Sequence, residues 1–202
     1  NFTLHAEQAA LANAFTHDEV GVKSVSCTYM PCSLCRQFML ELSNFLEFKI
    51  IVPSGTFTLE ELVPYPFGPA DLGIKSRFMT AIDNGLLKKE VNYCGDKIKL
   101  MAIAAANKSY SPYSNSYSGV ILETGDERTF TGRYIENAAY NISMNPMMAA
   151  LSNLRLGLMK YQNIKRAVIA EPKKNIVTQI NSARNLLYSV NPDIELEIVY
   201  LT

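Results

Sequence analysis

Four side chains near the start of this 202-residue chain have types and spacings suited to metal chemistry. His5-Ala6-Glu7 supplies an imidazole and a carboxylate. Pro31-Cys32-Ser33-Leu34-Cys35 supplies two thiols three residues apart. Imidazole nitrogen and thiolate sulfur are donors that zinc takes in tetrahedral geometry, and a catalytic site keeps three protein ligands and one open position. His5, Cys32 and Cys35 are therefore the candidate ligands of one Zn²⁺. Water in the open position has its pKa lowered from about 15.7 toward roughly 7. Glu7, placed beside such an ion without ligating it, is the candidate catalytic residue. It can take a proton from the water and return it to a ring nitrogen and a leaving amine. Alone, the Cys-x-x-Cys pair fits a redox dithiol, a zinc clip or chance equally well. No fourth protein ligand stands out. Cys27 falls in a predicted strand, Cys94 in a polar connector, and the only other histidine is His17.

The elements that must position these groups alternate. Ala6 to about Phe15 is Ala-rich and reads as a helix. Val22–Tyr29 alternates and reads as a strand. From Cys32 to about Phe45, Cys35, Phe38, Met39, Leu42 and Leu46 recur at spacings of three and four, which predicts an amphipathic helix. Phe48–Val52 is an apolar strand. Both candidate motifs thus begin a helix, where free N–H groups and partial positive charge favour thiolates. Pro53–Leu72, with four prolines, reads as an irregular connector. Lys97–Asn107 is a second helix candidate, and Ser118–Leu122 with Glu127–Gly132 a hairpin across Thr124-Gly125-Asp126.

Composition supports one or two packed domains. Hydrophobic residues are 48% and charged residues 19%, enough for a sizeable core. The formal net charge is zero, which gives no support to a nucleic-acid partner. No apolar run reaches the roughly 18 residues of a membrane span. Four cysteines in a chain of this length fit free thiols or a metal site in a reducing, cytoplasmic compartment better than a disulfide scaffold.

An internal repeat organises the chain. His5 to Asn13 lines up with Asn145 to Asn153, and Lys23-Ser24-Val25-Ser26 with Arg166-Ala167-Val168-Ile169. A helix and an apolar strand follow in both copies, ending at Phe48–Val52 and Ile194–Tyr200. Residues 1–82 are expected to form the catalytic domain with its Pro-rich connector, and 83–202 a degenerate domain without a metal site. In the second copy His5 becomes Asn145 and Glu7 becomes Met147. The second copy also has a helix and hairpin ahead of Asn145 that the first has no room for, so the first domain is expected to be incomplete at its N-terminus.

The order His-x-Glu, then Pro-Cys-x-x-Cys, is the signature of zinc nucleoside and base deaminases. The sequence resembles the cytidine deaminases, specifically their homodimeric two-domain bacterial type. His5-Ala6-Glu7-Gln8, Cys35-Arg36-Gln37-Phe38 and Phe67-Gly68-Pro69-Ala70-Asp71-Leu72 resemble the catalytic domain. Ser111-Pro112-Tyr113-Ser114, Ser118-Gly119-Val120 and Gly132-Arg133-Tyr134-Ile135-Glu136-Asn137-Ala138-Ala139-Tyr140 resemble the degenerate one. The resemblance implies an α/β fold of two such domains, each a mixed sheet flanked by helices in three α/β/α layers. It implies one zinc per chain, a homodimer, and hydrolytic deamination of cytidine and deoxycytidine in pyrimidine salvage. It also implies substrate contacts from Ala6 and Phe67, and from Ala138, Ala139 and Tyr140 in the partner's pocket. Two features depart from the family. Ser33 and Leu34 stand where Gly and often His occur. The ribose-binding Asn-x-Glu and base-stacking Phe precede the His-Ala-Glu motif in the family; in the second copy Tyr134-Ile135-Glu136 has Tyr for Asn, so ribose binding is not carried over to it. The rival readings are a non-catalytic zinc-stabilised dimerisation scaffold, an inactive fragment, and a deaminase of deoxycytidylate or polynucleotide cytosine.

Overall fold

The computed structural model describes residues 4–89 and 95–201, with only the backbone of Lys88 and Lys89. Cys94 lies outside the described residues. The chain divides into two compact units. The first takes His5–Ala81 together with Glu136–Ser143, and the second takes Ile82–Ile135 and Met144–Thr202.

In the first unit, helix α1 (Ala6–Thr16) precedes strand β1 (Ser24–Ser26), helix α2 (Ser33–Met39), strands β2 (Lys49–Val52) and β3 (Gly55–Thr58), and the single turn α3 (Leu59–Leu62). The sheet order is β1-β2-β3, with β1 parallel to β2 and β2 antiparallel to β3. Phe15 and Phe38 both pack edge-on against Phe78, at 4.9 and 5.6 Å between ring centroids. With Leu42, Phe48 and Ile50 they form a fully buried core.

Three expectations need correction here. The helix from Cys32 ends at Met39 rather than Phe45. After it, Phe78 N–H donates to the Glu41 carbonyl and Ser43 N–H to the Phe78 carbonyl, so this stretch pairs with a distant segment instead of continuing the i→i−4 ladder. The first strand is three residues long, because the chain leaves the sheet after Cys27 N–H donates to Ile51. The connector is also less irregular than its prolines suggest. It contains β3 and α3, and α3 starts on a capping box in which Thr58 N–H donates to Glu61 Oε2 (2.7 Å) and Glu61 N–H to Thr58 Oγ1 (3.2 Å). The Thr-x-x-Glu spacing was the available signal.

The second unit is a mixed sheet between helices. Helix α4 (Lys97–Asn107) precedes strands β4 (Gly119–Thr124) and β5 (Thr129–Arg133), helix α5 (Pro146–Leu156), strand β6 (Ile164–Pro172), helix α6 (Ile180–Val190) and strand β7 (Leu196–Leu201). The order is β5-β4-β6-β7, with β6 and β7 parallel and the other pairs antiparallel. Ile98, Ala102 and Ile103 of α4 meet Ile121, Val168 and Val199 on one face. Met147 and Leu154 of α5 and Leu186 of α6 meet Val120, Leu122 and Ile169 on the other. These are the three layers expected. At Gly132 a Cβ would lie 1.9 Å from the Pro146 carbonyl oxygen, so only glycine lets α5 sit this close to β5. Met144 and Met147 are buried, and Met148 and Met159, partly buried, pack against the core that holds Met147.

The repeat is visible in the topology. β1-α2-β2 and β6-α6-β7 each join two parallel strands through a helix. β1 stands at the edge of its sheet, whereas β6 is flanked by β4 and β7. Among the described residues no helix is long and apolar enough to cross a membrane.

Arg166 on β6 donates to both oxygens of Asp96 (3.0 and 2.7 Å) and both of Glu197 (2.5 and 2.8 Å). The Arg166 hydrogen bonds hold Asp96 well below the usual carboxylate range, and lower Glu197 for the same reason. Carboxylates depressed in the folded state stabilise it above their unfolded pKa of about 4, and that contribution is lost as pH falls below it. The cluster is partly exposed, so Arg166→Ala is expected to cost only about 1 kcal/mol at pH 7. The gap to the parent in thermal melts should close below pH 4. A gap unchanged at acid pH would assign the loss to packing of the arginine stem instead.

Candidate metal centre

The N-terminal ends of α1 and α2 meet in the first unit. His5 is the N-cap residue of α1, Cys32 that of α2, and Cys35 is the third residue of α2. His5 Nδ1 lies 3.2 Å from Cys32 Sγ and 3.3 Å from Cys35 Sγ, and the two sulfurs are 3.7 Å apart. A tetrahedral Zn²⁺ with N at about 2.0 Å and S at about 2.3 Å would set those separations at about 3.5 Å and 3.8 Å. The three donors therefore already form nearly the triangle that the ion requires. Among the described residues they form the one cluster of three or more such donors, and no fourth joins them. His5 is exposed, Cys32 half-buried and Cys35 buried, so one side of the site opens outward.

Burial, the adjacent Cys32 thiol and the Glu7 carboxylate push the Cys35 thiol far above the ordinary thiol range. A buried thiol with a negative neighbour is a poor place for a lone thiolate and a good one for a thiolate with a cation. The donor set and its surroundings thus fit zinc.

Glu7, on the first turn of α1, stands beside the cluster rather than in it. Its negative charge helps to raise the Cys35 thiol and also raises Cys27, which burial raises more. A cleft of about 470 Å³ opens here, lined by Ala6, Glu7, Cys27, Thr28, Tyr29 and Met30 among others. That volume lies within the range of small-molecule sites. Cys27 is half-buried and lines the cleft.

Neighbouring residues brace α2. Arg36 donates to the carbonyls of Pro31 (2.8 Å) and Leu62 (3.1 Å). It ties the loop before Cys32 to the end of α3. Gln37 Nε2 donates to the Phe67 carbonyl at 2.7 Å. Ala138 N–H donates to the buried Glu41 carboxylate at 2.7 Å, and Asn137 Nδ2 to the Gln37 carbonyl at 3.2 Å. Sequence reading missed Glu41 and Asn137, whose partners lie about a hundred residues away along the chain.

Of the candidate substrate contacts, the structure places Ala6 beside Glu7 at the cleft. Phe67, 47% exposed, stands by α2 through its carbonyl. Ala138 is buried, Ala139 N–H donates to Asn137 Oδ1 at 2.9 Å, and Tyr140 is 70% exposed. These four are not among the cleft-lining residues.

One imidazole and two thiols at the starts of two helices, with a carboxylate held just outside them, form a donor cluster that could hold one metal ion on an α/β scaffold. The chain belongs to the cytidine and deoxycytidylate deaminase family: residues 59–184 match the model of its zinc-binding region. The four site residues precede the matched stretch. The cytidine deaminase of Serratia proteamaculans is 42% identical over 92% of this chain and 62% of its own. That of Photobacterium profundum is 37% identical over 98% of this chain and 66% of its own. The chain thus spans about three fifths of the length of these curated relatives. Among solved structures, the cytidine deaminase of Burkholderia pseudomallei aligns with 52% of this chain and 81% of its own, at 24% identity and a TM-score of 0.45.

Proposed function

We propose that the first unit is a zinc-dependent cytidine deaminase site that converts cytidine and deoxycytidine to uridine and deoxyuridine. The observation that carries this reading is the convergence of His5 Nδ1, Cys32 Sγ and Cys35 Sγ, with Glu7 left outside them at the cleft. His5, Cys32 and Cys35 hold the ion. When bound, zinc supplies the Lewis acidity that makes water a nucleophile near neutral pH. Glu7 takes a proton from the attacking water and delivers it to the pyrimidine ring nitrogen. As the bond from C4 to the exocyclic nitrogen breaks, Glu7 passes the second proton to the leaving ammonia. The cleft walls, Ala6 included, enclose the base.

The wider reading follows the family and its named relatives. The protein acts in pyrimidine salvage as a cytoplasmic homodimer, in which Phe67 contacts the substrate and Ala138, Ala139 and Tyr140 help to close the partner's active site. The 1–82 and 83–202 division, with only the first part catalytic, belongs to the same proposal. The free thiols Cys27, Cys32 and Cys35 accord with a reducing compartment. Tyr140→Asp should weaken dimerisation or raise KM; wild-type values of both would remove its assigned role.

Elemental analysis tests the centre first and is expected to give about one zinc per chain. Incubation with cytidine should then release ammonia and uridine. Zinc without turnover would favour the zinc-stabilised scaffold, and no zinc would overturn the ligand assignment.

A further inference from the structure

The second copy of the repeat contains a side-chain cluster at the positions that hold the metal donors in the first. Asn145 is the N-cap residue of α5, as His5 is of α1. Gln179 is the N-cap residue of α6, as Cys32 is of α2. Ser182 follows Gln179 by three residues, as Cys35 follows Cys32. The three meet as their counterparts do. Asn145 Nδ2 donates to Gln179 Oε1 at 2.8 Å and to Ser182 Oγ at 2.7 Å. The Ser182 hydroxyl donates in turn to the Gln179 carbonyl (3.1 Å), and Asn145 Oδ1 accepts from Met147 N–H (2.7 Å). Both amide protons, the hydroxyl proton and the amide oxygen are therefore used.

We infer that Asn145, Gln179 and Ser182 are a collapsed metal centre, a hydrogen-bonded clasp that ties the N-terminal ends of α5 and α6 as an ion would. This rests on the reading of His5, Cys32 and Cys35 as metal ligands. In both copies one nitrogen reaches two partners: the imidazole nitrogen stands 3.2 and 3.3 Å from its two sulfurs, and the amide nitrogen 2.8 and 2.7 Å from its two oxygens, hydrogen-bond contact with nothing between. Neutral donors and acceptors also suit the place: Asn145 and Gln179 are each only 7% exposed, and a charge there would need a partner. Met147, fully buried, takes the position of Glu7, so the clasp has no acid–base group and serves structure alone. The nearby Glu171 carboxylate is engaged by Thr178 Oγ1 (2.5 Å) and Gln179 N–H (3.0 Å).

A clasp built on metal-site geometry should accept a metal once its donors are restored. The parent chain and the triple variant Asn145→His, Gln179→Cys, Ser182→Cys are titrated with Co²⁺, following the thiolate-to-cobalt absorption, and then with Zn²⁺. The variant is expected to bind one equivalent more than the parent. A variant folded by circular dichroism that binds no more than the parent would overturn the inference. The parent's own equivalent reports on His5, Cys32 and Cys35, and the difference reports on the clasp, so the two readings fail separately. If the triple variant does not fold, Gln179→Leu with Ser182→Ala decides. It keeps the Asn145 cap but removes both side-chain partners of its buried amide, leaving only the Gln179 carbonyl at 3.4 Å. Its melting temperature should fall by about 4–8 °C, and an unchanged value would show that no clasp is needed.

Discussion

Glu7→Ala is expected to lower kcat for cytidine by about 10²–10⁴-fold, the usual worth of a placed general acid–base, while leaving zinc content at one per chain. The two effects separate because Glu7 stands outside the ligand triangle yet beside it, facing Cys35 and the cleft. Two proton transfers are asked of this one carboxylate, and among the described residues no other carboxylate lines the cleft. The fold should survive, since Ala is the best helix former and position 7 lies on the first turn of α1. A steady-state assay with matched zinc analysis checks it. A variant within a few-fold of the parent would remove the acid–base role, and one that lost zinc would make Glu7 part of the centre. KM should change less than kcat if Glu7 acts mainly in the transition state.

Cys35→Ala is expected to abolish zinc binding and to destabilise the first unit. Cys35 is fully buried and its sulfur lies 3.3 Å from His5 Nδ1 and 3.7 Å from Cys32 Sγ. Two donors remain after its loss, below the three or four that hold zinc. A metal present at 1,000 times its Kd stabilises the folded state by about 4 kcal/mol, and the variant forgoes that. Deleting one buried sulfur adds little beyond a small void. The variant should therefore melt close to the parent stripped by a chelator, and well below the parent with zinc. A variant that melts with the zinc-loaded parent would show that the metal contributes nothing to the fold.

Much of this was legible in the residues because it depends on local chemistry. His-x-Glu and Pro-Cys-x-x-Cys state their donors and spacing outright. A three-residue interval on one helix turns Cys32 and Cys35 to the same side whatever surrounds them. The repeat could be read because corresponding elements bury the same faces. α1 and α5 both follow a polar cap with apolar residues, and β1-α2-β2 and β6-α6-β7 run in the same order. Helix α2 was overestimated because its apolar spacing continues past Met39, whereas Phe78 pairs there with the backbone of Glu41 and Ser43. Periodicity registers which residues are apolar and is silent about where a backbone finds its partners.

By itself, the sequence determined the ligand types, their spacing on each helix, the candidate proton carrier and the order of elements. Only the tertiary structure decided that His5 reaches Cys32 and Cys35 from 27 and 30 residues away, that Cys27 faces the cleft, and that Glu136–Ser143 packs with the first unit. It also decided that Asn145, Gln179 and Ser182 close on one another where a second ion would have stood. The division has one physical cause. Donor chemistry and helical pitch are properties of a few consecutive residues. Convergence depends on which buried surfaces and unpaired backbone groups find each other across the folded chain, and no short window of sequence contains both partners.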